Sequence, residues 1–501
     1  MTIDPGTLSG VALGAPFLAA LLILIAPARL AEWWGYLAAG IAVAATALML
    51  PPVRAGEPVT LTLLPLTEGL DLRLDVDALG LTFALLASGL WVVTSLYSSG
   101  YVRATDLAHR PRFFAAFAAS IGAALGVALA GNLLTFFLFY ELLTLATYPL
   151  VVHKETATAF AAGRRYLAFS LGGGLALLTA VAWTWQIAGT LDFTPGGFLH
   201  LHASGATLLA LFVLYVAGVA VKSAVMPLHA WLPAAMVAPT PVSALLHAVA
   251  VVKAGVFGTL RVLGFVFGPA SLAGFPGAHV LAGLAMVTIV AGSLIALRQD
   301  NLKRRLAYST VVQLSYMVLG GALVAPLAMV GSVVHMVNHG LAKITLFFCA
   351  GAIYAAAHRE NISELGGLGR QMPWTFGAFT VASLALVGLP LLSGFVGKFF
   401  LARGAIDAGD LVAAGVMLGA SLLTAAYLLP IVRIAYFPGA SAAGESGPAA
   451  HASAEAPAAM VVPLVATAIL VVLFGMLPLM MNVQFDLAAE VAARVFGGGV
   501  P

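Results

Sequence analysis

The chain has 501 residues, of which 61% are hydrophobic and 9% are charged, and its formal net charge is +3. Soluble globular proteins carry about 25% charged residues, so this composition excludes a soluble enzyme, a disordered chain and a nucleic-acid-binding protein. A polytopic helical membrane protein remains. The single cysteine, Cys349, excludes an intrachain disulfide and a cysteine-based metal site.

A bilayer core about 30 Å thick requires roughly 20 apolar residues per helix. Measured against that length, the sequence predicts fourteen membrane spans. The first of them lacks the basic leading segment of a cleaved signal peptide. The predicted limits are 7–27, 32–53, 77–98, 112–130, 132–152, 165–187, 206–226, 241–266, 276–297, 306–324, 326–356, 373–402, 410–436 and 459–481. The expected fold class is therefore an all-α polytopic membrane protein.

The lysines and arginines of the loops indicate how these spans are oriented. With the N-terminus outside, 14 basic residues fall in cytoplasmic loops and 5 on the other side. This excess predicts that both termini lie outside, and it fits a multi-pass protein of a bacterial inner membrane. Residues 439–458 are rich in Ala, Gly, Pro and Ser and predict a flexible cytoplasmic loop before the last span.

Four further basic residues lie inside apolar spans, and all are lysines: Lys222, Lys253, Lys343 and Lys398. A charge at the bilayer centre costs about 2.5–3.5 kcal/mol, so each needs pairing, neutralisation or water. Among the acids, Glu141 lies in the middle of a span. A single buried lysine can extend to the interface or brace a carbonyl group. Four in central spans favour a proton relay, because lysine can release its proton and arginine cannot.

Histidines accompany these lysines. His335, His339 and Lys343 follow one another at intervals of four residues and so lie on one helix face, and His247 precedes Lys253 in another span. The spacing of His335 and His339 also suits zinc, but the lysine that follows and the lack of a nearby acidic ligand argue against a metal site. Because the chain has no nucleotide-, dinucleotide- or haem-binding motif, we expect no cofactor and no nucleic-acid partner.

Two predicted spans are interrupted. The segment 226–239, after Lys222, contains three prolines, and the segment 388–394, before Lys398, contains two glycines and a proline. Interrupted helices beside buried charges are typical of ion pathways in transporters with repeated halves. Spans 4–8 and 9–13 number five each and enter from opposite sides, which permits an inverted repeat. The predicted organisation is 1–111 for spans 1–3, 112–266 for the first repeat, 267–438 for the second, 439–458 for the loop and 459–501 for the last helix.

Five segments resemble the proton-translocating antiporter-like family. This family comprises the large membrane subunits of complex I, of membrane-bound hydrogenases and of Mrp-type sodium/proton antiporters. The segments are FYELLTLATYPLV (139–151), KSAVMPLHAWLPAAMVAPTPVSALLHAVAVVKAG (222–255), NLKRRLAYSTVVQLSYMVLG (301–320), HMVNHGLAKITLFFCAG (335–351) and ISELGGLGRQMP (362–373). The resemblance implies a fold of about fourteen helices with two inverted five-helix repeats and discontinuous helices 7 and 12.

The resemblance also implies a role for each buried charge. Glu141 resembles the family's helix-5 glutamate, which pairs with the helix-7 lysine, here Lys222, and Lys253 resembles the central lysine of helix 8. The remaining members of the implied relay are His247, His335, His339, Lys343 and, at its exit, Lys398. Opening of the Glu141–Lys222 pair releases a proton toward Lys253, and repulsion between cations drives it onward. At roughly 7 Å and an effective dielectric of about 20, this repulsion is about 2 kcal/mol.

Within the family, the length, the YELLTLATYPLV stretch and a lysine at 398 make the chain most similar to the D-type large subunit of Mrp-type antiporters. We expect a proton-translocating subunit of a multisubunit monovalent cation/proton antiporter, with other membrane subunits as partners and no catalytic or redox site of its own. Three alternatives stay open: the same module in a complex I-type NADH:quinone oxidoreductase or a hydrogenase, a partner subunit in inorganic-carbon uptake, and an inactive scaffold. Whether sodium passes through this chain is also open.

Overall fold

The computed structural model describes residues 4–437, 455–476 and 483–498. Within these ranges the chain forms helices, their connecting loops and one antiparallel hairpin. Twelve of the described helices are long and apolar enough to cross a membrane. The protein is an all-α multi-pass membrane protein, as predicted. Most of the loop predicted at 439–458 lies outside the described residues.

The N-terminal part contains three spans and the hairpin. Its elements are α1 (Pro5–Ile25), α2 (Ala31–Leu48), α3 (Leu50–Arg54), β1 (Thr60–Thr67), β2 (Leu70–Asp75) and α4 (Ala78–Ala104). Aspartates cap two of these helices: Asp4 accepts the Thr7 N–H at 3.0 Å, and Asp77 accepts the Gly80 N–H at 2.8 Å. Such caps satisfy N–H groups that have no partner within the helix, so each aspartate defines where its span begins.

The next five predicted spans contain the first interrupted helix. Their elements are α5 (Arg110–Leu129), α6 (Leu133–Val151), α7 (Ala157–Ala188), α8 (Gly205–Lys222), α9 (Trp231–Ala234), α10 (Thr240–Ala244), α11 (Val251–Arg261) and α12 (Gly268–Leu272). After α8 ends at Lys222, Ala224 adopts a left-handed backbone with φ of 53°, and the short α9 follows. Helix 7 is therefore discontinuous, as predicted. Two π-helical segments join α10, α11 and α12 into one span, Thr240–Leu272.

The following five spans contain the second interruption. Their elements are α13 (Pro276–Leu297), α14 (Leu302–Ala322), α15 (Pro326–Ala357), α16 (Leu368–Gln371), α17 (Pro373–Val387), α18 (Ser393–Asp407) and α19 (Leu411–Tyr436). Helix 12 is discontinuous, as predicted, because α17 ends where Gly388 adopts φ of 98°, a conformation that glycine tolerates. α14 is not among the twelve apolar helices. Its basic run at 303–305 and its hydroxyl and amide side chains lower its mean hydropathy.

The C-terminal part adds the last span and a helix that the sequence did not predict separately. These elements are α20 (Ala458–Met476) and α21 (Val483–Phe496). α21 packs against α4 and α15, and its Asp486 forms an ion pair with Arg54 at 2.5 Å. Before α20, the Glu455 carboxylate accepts the N–H groups of Trp374 and Thr375 at 2.7 and 3.1 Å, so it caps the start of α17.

The two five-helix sets share local geometry. Their second helices, α6 and α14, both begin after an asparagine cap, Asn132 and Asn301, whose side chain accepts an N–H three residues later at 2.8 and 3.1 Å. Each asparagine also forms an isolated antiparallel bridge with the segment after the third helix, to Asp192 and Asn361 respectively. The third helices, α7 and α15, both have 32 residues. Because spans 5 and 10 cross in opposite directions, these matches fit an inverted repeat.

Candidate functional site

The break in helix 7 buries a lysine against the neighbouring helix α6. Lys222 is the last residue of α8 and is 1% exposed. Its amine donates to the Tyr140 carbonyl oxygen and lies 3.4 Å from the centre of the Tyr140 ring. A carbonyl dipole and an aromatic face both stabilise a cation, so α6 provides two such contacts for this lysine.

Glu141, the next residue on α6, lies close to that lysine without forming an ion pair. Glu141 and Lys222 interact electrostatically, yet none of the nine ion pairs among the described residues joins them. The Oε1 atom of Glu141 is buried without a hydrogen-bond partner. The carboxylate packs against Gly174 of α7, where an added Cβ would lie 2.6 Å from Oε1. The predicted pair is thus adjacent and open in this structure.

A lysine–histidine contact joins the two five-helix sets. Lys253 on α11 and His339 on α15 are fully buried, and Lys253 Nζ lies 2.5 Å from His339 Nδ1. The other ring nitrogen of His339 is buried without a partner. None of the ion pairs among the described residues includes Lys253, so its close partner is an imidazole and not a carboxylate. The contact is therefore suited to sharing a proton.

His335 continues from this contact along α15. Its ring centre lies 6.0 Å from that of His339. Its Nε2 lies 2.9 Å from the side-chain oxygen of Gln313 on α14. Because an amide oxygen only accepts, Nε2 carries the hydrogen. In neutral His335, Nδ1 then has a free lone pair, and this atom is buried without a partner.

Lys398 lies at the break in helix 12. Its amine donates to the Leu386 carbonyl, near the end of α17, at 2.6 Å and to the Ser421 hydroxyl at 3.2 Å. The amine is also 5.1 Å from the centre of the Tyr316 ring. That ring is 6.1 Å from His335, so an aromatic side chain lies between the last histidine and the last lysine.

Lys343 and His247 lie to the other side of Lys253. Lys343 is fully buried, and its amine donates to the Leu306 carbonyl at 3.0 Å. His247 lies in the first π-helical segment with its ring centre 4.7 Å from that of Phe347. Both of its ring nitrogens are buried without a partner. Lys253 and Lys343 both act electrostatically on His247, so the three residues form one charge-coupled group.

The eight predicted residues thus fall into two groups. One consists of Glu141 and Lys222. The other, centred on Lys253, consists of His247, Lys253, His335, His339, Lys343 and Lys398. The groups approach where α8 crosses α11, because a Cβ added at Gly255 would lie 2.9 Å from the Lys222 Cβ. Gly255 therefore permits a close approach of the two lysine-bearing helices.

Comparison with known proteins identifies the family. Residues 130–424, more than half of the chain, match the family described as NADH:quinone oxidoreductase/Mrp antiporter, TM. The chain belongs to this antiporter family. The matched segment contains all eight predicted residues.

Relatives within the antiporter family come from two kinds of assembly. The chain is 34% identical to NADH-quinone oxidoreductase subunit N of Desulforudis audaxviator, over 81% of this chain and 82% of that relative. It is 37% identical to a probable K(+)/H(+) antiporter subunit of Rhizobium meliloti, over 68% of this chain but 33% of that relative. A chain in the structure of the Mrp complex from Dietzia sp. has a TM-score of 0.86 at 21% identity, covering 99% and 98% of the two chains. This last match shows the shared fold.

Several buried polar residues of this antiporter-family chain were not predicted from the sequence. Tyr140, Gln313 and Tyr316 contact the predicted lysines and histidines. Asn338 donates to the Ser393 carbonyl at 2.7 Å, which joins α15 to the start of α18, and its side-chain oxygen is buried without a partner. The available signal was polarity inside an apolar span, which also occurs at ordinary helix contacts and so does not single these residues out.

Arg261 is buried, unlike the loop charges with which the sequence groups it. It is one of the five basic residues counted on the outer side, and it lies near the end of the predicted span 241–266. In the structure it is 2% exposed and forms a two-pronged ion pair with Asp77, one prong of which measures 2.6 Å. Phe193, Phe257 and Phe265 surround its guanidinium at 4.5–5.1 Å. The pair joins α11 to the start of α4 and is therefore a structural link across the bundle.

A polar cavity of about 220 Å³ adjoins this ion pair, and Asp75 of β2 lines it. Burial raises the pKa of the Asp75 carboxyl above its usual range, and the neighbouring charge of Asp77 raises it further.

As for metals, no group of three or more His, Cys, Asp or Glu side chains within the described ranges could hold an ion.

Proposed function

We propose that this chain moves protons across the membrane as a component of a Mrp-type multisubunit monovalent cation/proton antiporter, in the position of its D-type large subunit. The observation that carries this function is the fully buried contact between Lys253 and His339. A lysine that only braces the fold pairs with a carboxylate or a carbonyl group. Lys253 instead meets a second group that both accepts and releases protons.

The first proposed step is set by Glu141 and Lys222. When Glu141 closes onto Lys222, the carboxylate stabilises the ammonium form and holds the proton there. When the pair is open, as in this structure, the ammonium has only the Tyr140 carbonyl and ring as close partners. In the open arrangement the carboxylate occupies the space that a side chain at Gly174 would fill, and its movement from there onto Lys222 makes this pair a switch for releasing the proton toward Lys253.

The second step is transfer through the group centred on Lys253. Lys253 hands its proton to His339 Nδ1, and His335 continues the path along α15. Buried atoms without partners on His335, His339 and His247 are places where ordered water can complete hydrogen bonds. Lys343 adds a positive charge on the opposite side of Lys253, and repulsion between the two favours onward movement of the proton.

The last step releases the proton at Lys398. Tyr316 lies between His335 and Lys398, with separations of 6.1 and 5.1 Å. Both separations are measured to the ring centre, and the Tyr316 hydroxyl donates to the Met417 carbonyl at 2.7 Å, so a water molecule or a side-chain movement completes the connection. Lys398 is the most exposed of the four lysines, at 8%, which suits a terminal position.

The proposed setting is a bacterial inner membrane with the N-terminus outside, because the basic residues concentrate in the odd-numbered loops. Residues 112–266 and 267–438 would be the two inverted repeats, which the matching asparagine caps and bridges support. Other membrane subunits of the assembly are the expected partners.

Transport by the purified assembly tests this function. Proteoliposomes receive a sodium or potassium gradient, and internal pH is followed with the native chain and with Lys253→Ala. We expect cation-driven proton movement that the variant abolishes while the assembly stays intact. Proton movement unchanged by Lys253→Ala would refute the relay and leave the scaffold interpretation.

A second candidate function has a specific observation in its favour. Identity to the complex I-type relative extends over 82% of that relative, whereas the antiporter relative is matched over 33%. The same relay would then be driven by redox chemistry in partner subunits. The protein composition of the purified assembly separates the two: small antiporter subunits support the first function, and quinone- or hydrogenase-type subunits the second.

A further inference from the structure

A basic cavity of about 460 Å³ lies where three loops meet on one face of the bundle. Lys154, Lys303 and Arg304 line it together with one acid, Glu360. The three cations take part in none of the ion pairs in the described part of the chain. Lys154 and Lys303 are close enough to repel each other. The cavity therefore holds an excess of positive charge that Glu360 only partly offsets.

Two long helices begin at this cavity. α7 starts after Thr156 and α14 starts after Asn301, and both cap residues line the cavity. The N-terminal end of a helix carries partial positive charge and exposes N–H groups that suit an oxyanion. The hydroxyls of Thr156 and Thr158 lie 3.0 Å apart, so one donates to the other and one hydroxyl hydrogen remains as a donor. Helix ends, hydroxyls and side-chain cations thus converge on one space.

The remaining wall of the cavity is apolar. Pro233, Met236 and Val237 form it, and they belong to the short segment that follows the break in helix 7. The loops around the cavity are among those predicted to be cytoplasmic. A cationic pocket with an apolar side at that surface suits the phosphate of a lipid headgroup.

We propose that this cavity binds a phosphate-type oxyanion, supplied by an anionic phospholipid headgroup or by free phosphate. The bound anion joins the start of α7 in the first five-helix set to the start of α14 in the second, and so stabilises their relative position. None of the eight relay residues lines the cavity, so the site is separate from proton transfer.

Thermal unfolding of the purified assembly tests the site and distinguishes the two sources. One arm compares nanodiscs of phosphatidylcholine with nanodiscs that also contain phosphatidylglycerol. The other arm compares phosphatidylcholine nanodiscs in sodium phosphate and in sodium chloride of equal ionic strength. A higher melting temperature in the first arm alone identifies a lipid headgroup, and one in the second arm identifies free phosphate. No change in either arm overturns the proposal.

Charge-removing variants show where the anion binds. In Lys154→Gln/Arg304→Gln, Lys303 keeps its hydrogen bond to the Ala238 carbonyl, which measures 3.0 Å, so the loop packing is retained. We expect this double variant to bind the anion roughly 30-fold more weakly than the native chain, because it lacks two positive charges that each contribute about 1 kcal/mol near a membrane surface.

The matched control is Arg298→Gln/Arg370→Gln, which removes two exposed charges from the same face outside the cavity. The control should bind like the native chain. An equal loss in the control and in the site variant would overturn the proposal, because general surface charge would then explain binding.

Discussion

Replacement of Lys253 by arginine separates a proton relay from a structural brace. Arginine keeps the positive charge and the length of the side chain, so a brace is largely preserved. It holds its proton roughly a thousandfold more tightly than lysine does. If Lys253 releases a proton to His339 in every cycle, we expect Lys253→Arg to transport protons about a hundred to a thousand times more slowly, within the range of a positioned proton-transfer group.

The distance between the two groups explains why this step is obligatory. Lys253 Nζ lies 2.5 Å from His339 Nδ1, and two unit charges at that separation repel by about 7 kcal/mol at an effective dielectric of about 20. The pair therefore holds one proton at a time. A proton can reach His339 only when Lys253 has given one up, which arginine does not do.

The assay is proton uptake into proteoliposomes, followed with a pH-sensitive dye inside the vesicles. Arg298→Lys, the converse exchange at an exposed residue, controls for reconstitution, and the melting temperature of each variant is measured. A Lys253→Arg protein that is folded and keeps more than about half of the native flux would refute the reasoning, since a positioned transfer group contributes far more than twofold.

Three further variants test other parts of the structure. Gly174→Val places carbon atoms where a Cβ alone would lie 2.6 Å from Glu141 Oε1. Such overpacking costs about 1–3 kcal/mol, so proton flux should fall about tenfold. Native flux would show that Glu141 does not need this space. Asp77→Asn removes the ion-pair partner of the buried Arg261, which should cost about 3–5 kcal/mol. Thermal unfolding measures this loss, and a melting temperature within about 2 °C of the native value contradicts it. Lys398→Met removes the proposed terminal carrier and should lower proton flux about a hundredfold, whereas flux within twofold of native would place the exit elsewhere.

The sequence predicted the features that depend on local composition. Apolar length defines a span, and proline or a left-handed glycine interrupts one, so the breaks after Lys222 and before Lys398 followed from the residues themselves. The same reasoning predicted that Lys253 and His339 are buried. Their contact joins residues 86 positions apart and depends on how α11 packs against α15. Periodicity within one helix cannot supply that information.

Arg261 shows a burial that local composition does not predict. The predicted span 241–266 contains it, yet an arginine near the end of an apolar stretch is expected to reach water. In the structure the span continues through two π-helical segments to Leu272, and Arg261 is buried inside the bundle. Its counter-charge, Asp77, comes 184 residues earlier in the chain. A partner that distant leaves no local signal.

The two interrupted helices stabilise their lysines in the same way from different sequence positions. Lys222 is the last residue of α8, and its ammonium donates to a carbonyl of α6, whereas Lys398 follows its break and donates back to a carbonyl near the end of α17, at the negative end of that half-helix. Each also contacts a tyrosine ring from the second helix of its set, Tyr140 or Tyr316.

A helix end contributes up to about 2 kcal/mol and a desolvated cation–π contact about 2 kcal/mol, which together offset the cost of about 2.5–3.5 kcal/mol for a charge at the bilayer centre. What distinguishes the two sets is the residue after the tyrosine: Glu141 follows Tyr140, but Met317 follows Tyr316. In the proposed mechanism only Lys222 therefore has a neighbouring carboxylate that can open and close on it, which places the switch in the first five-helix set and leaves Lys398 as a carrier without one.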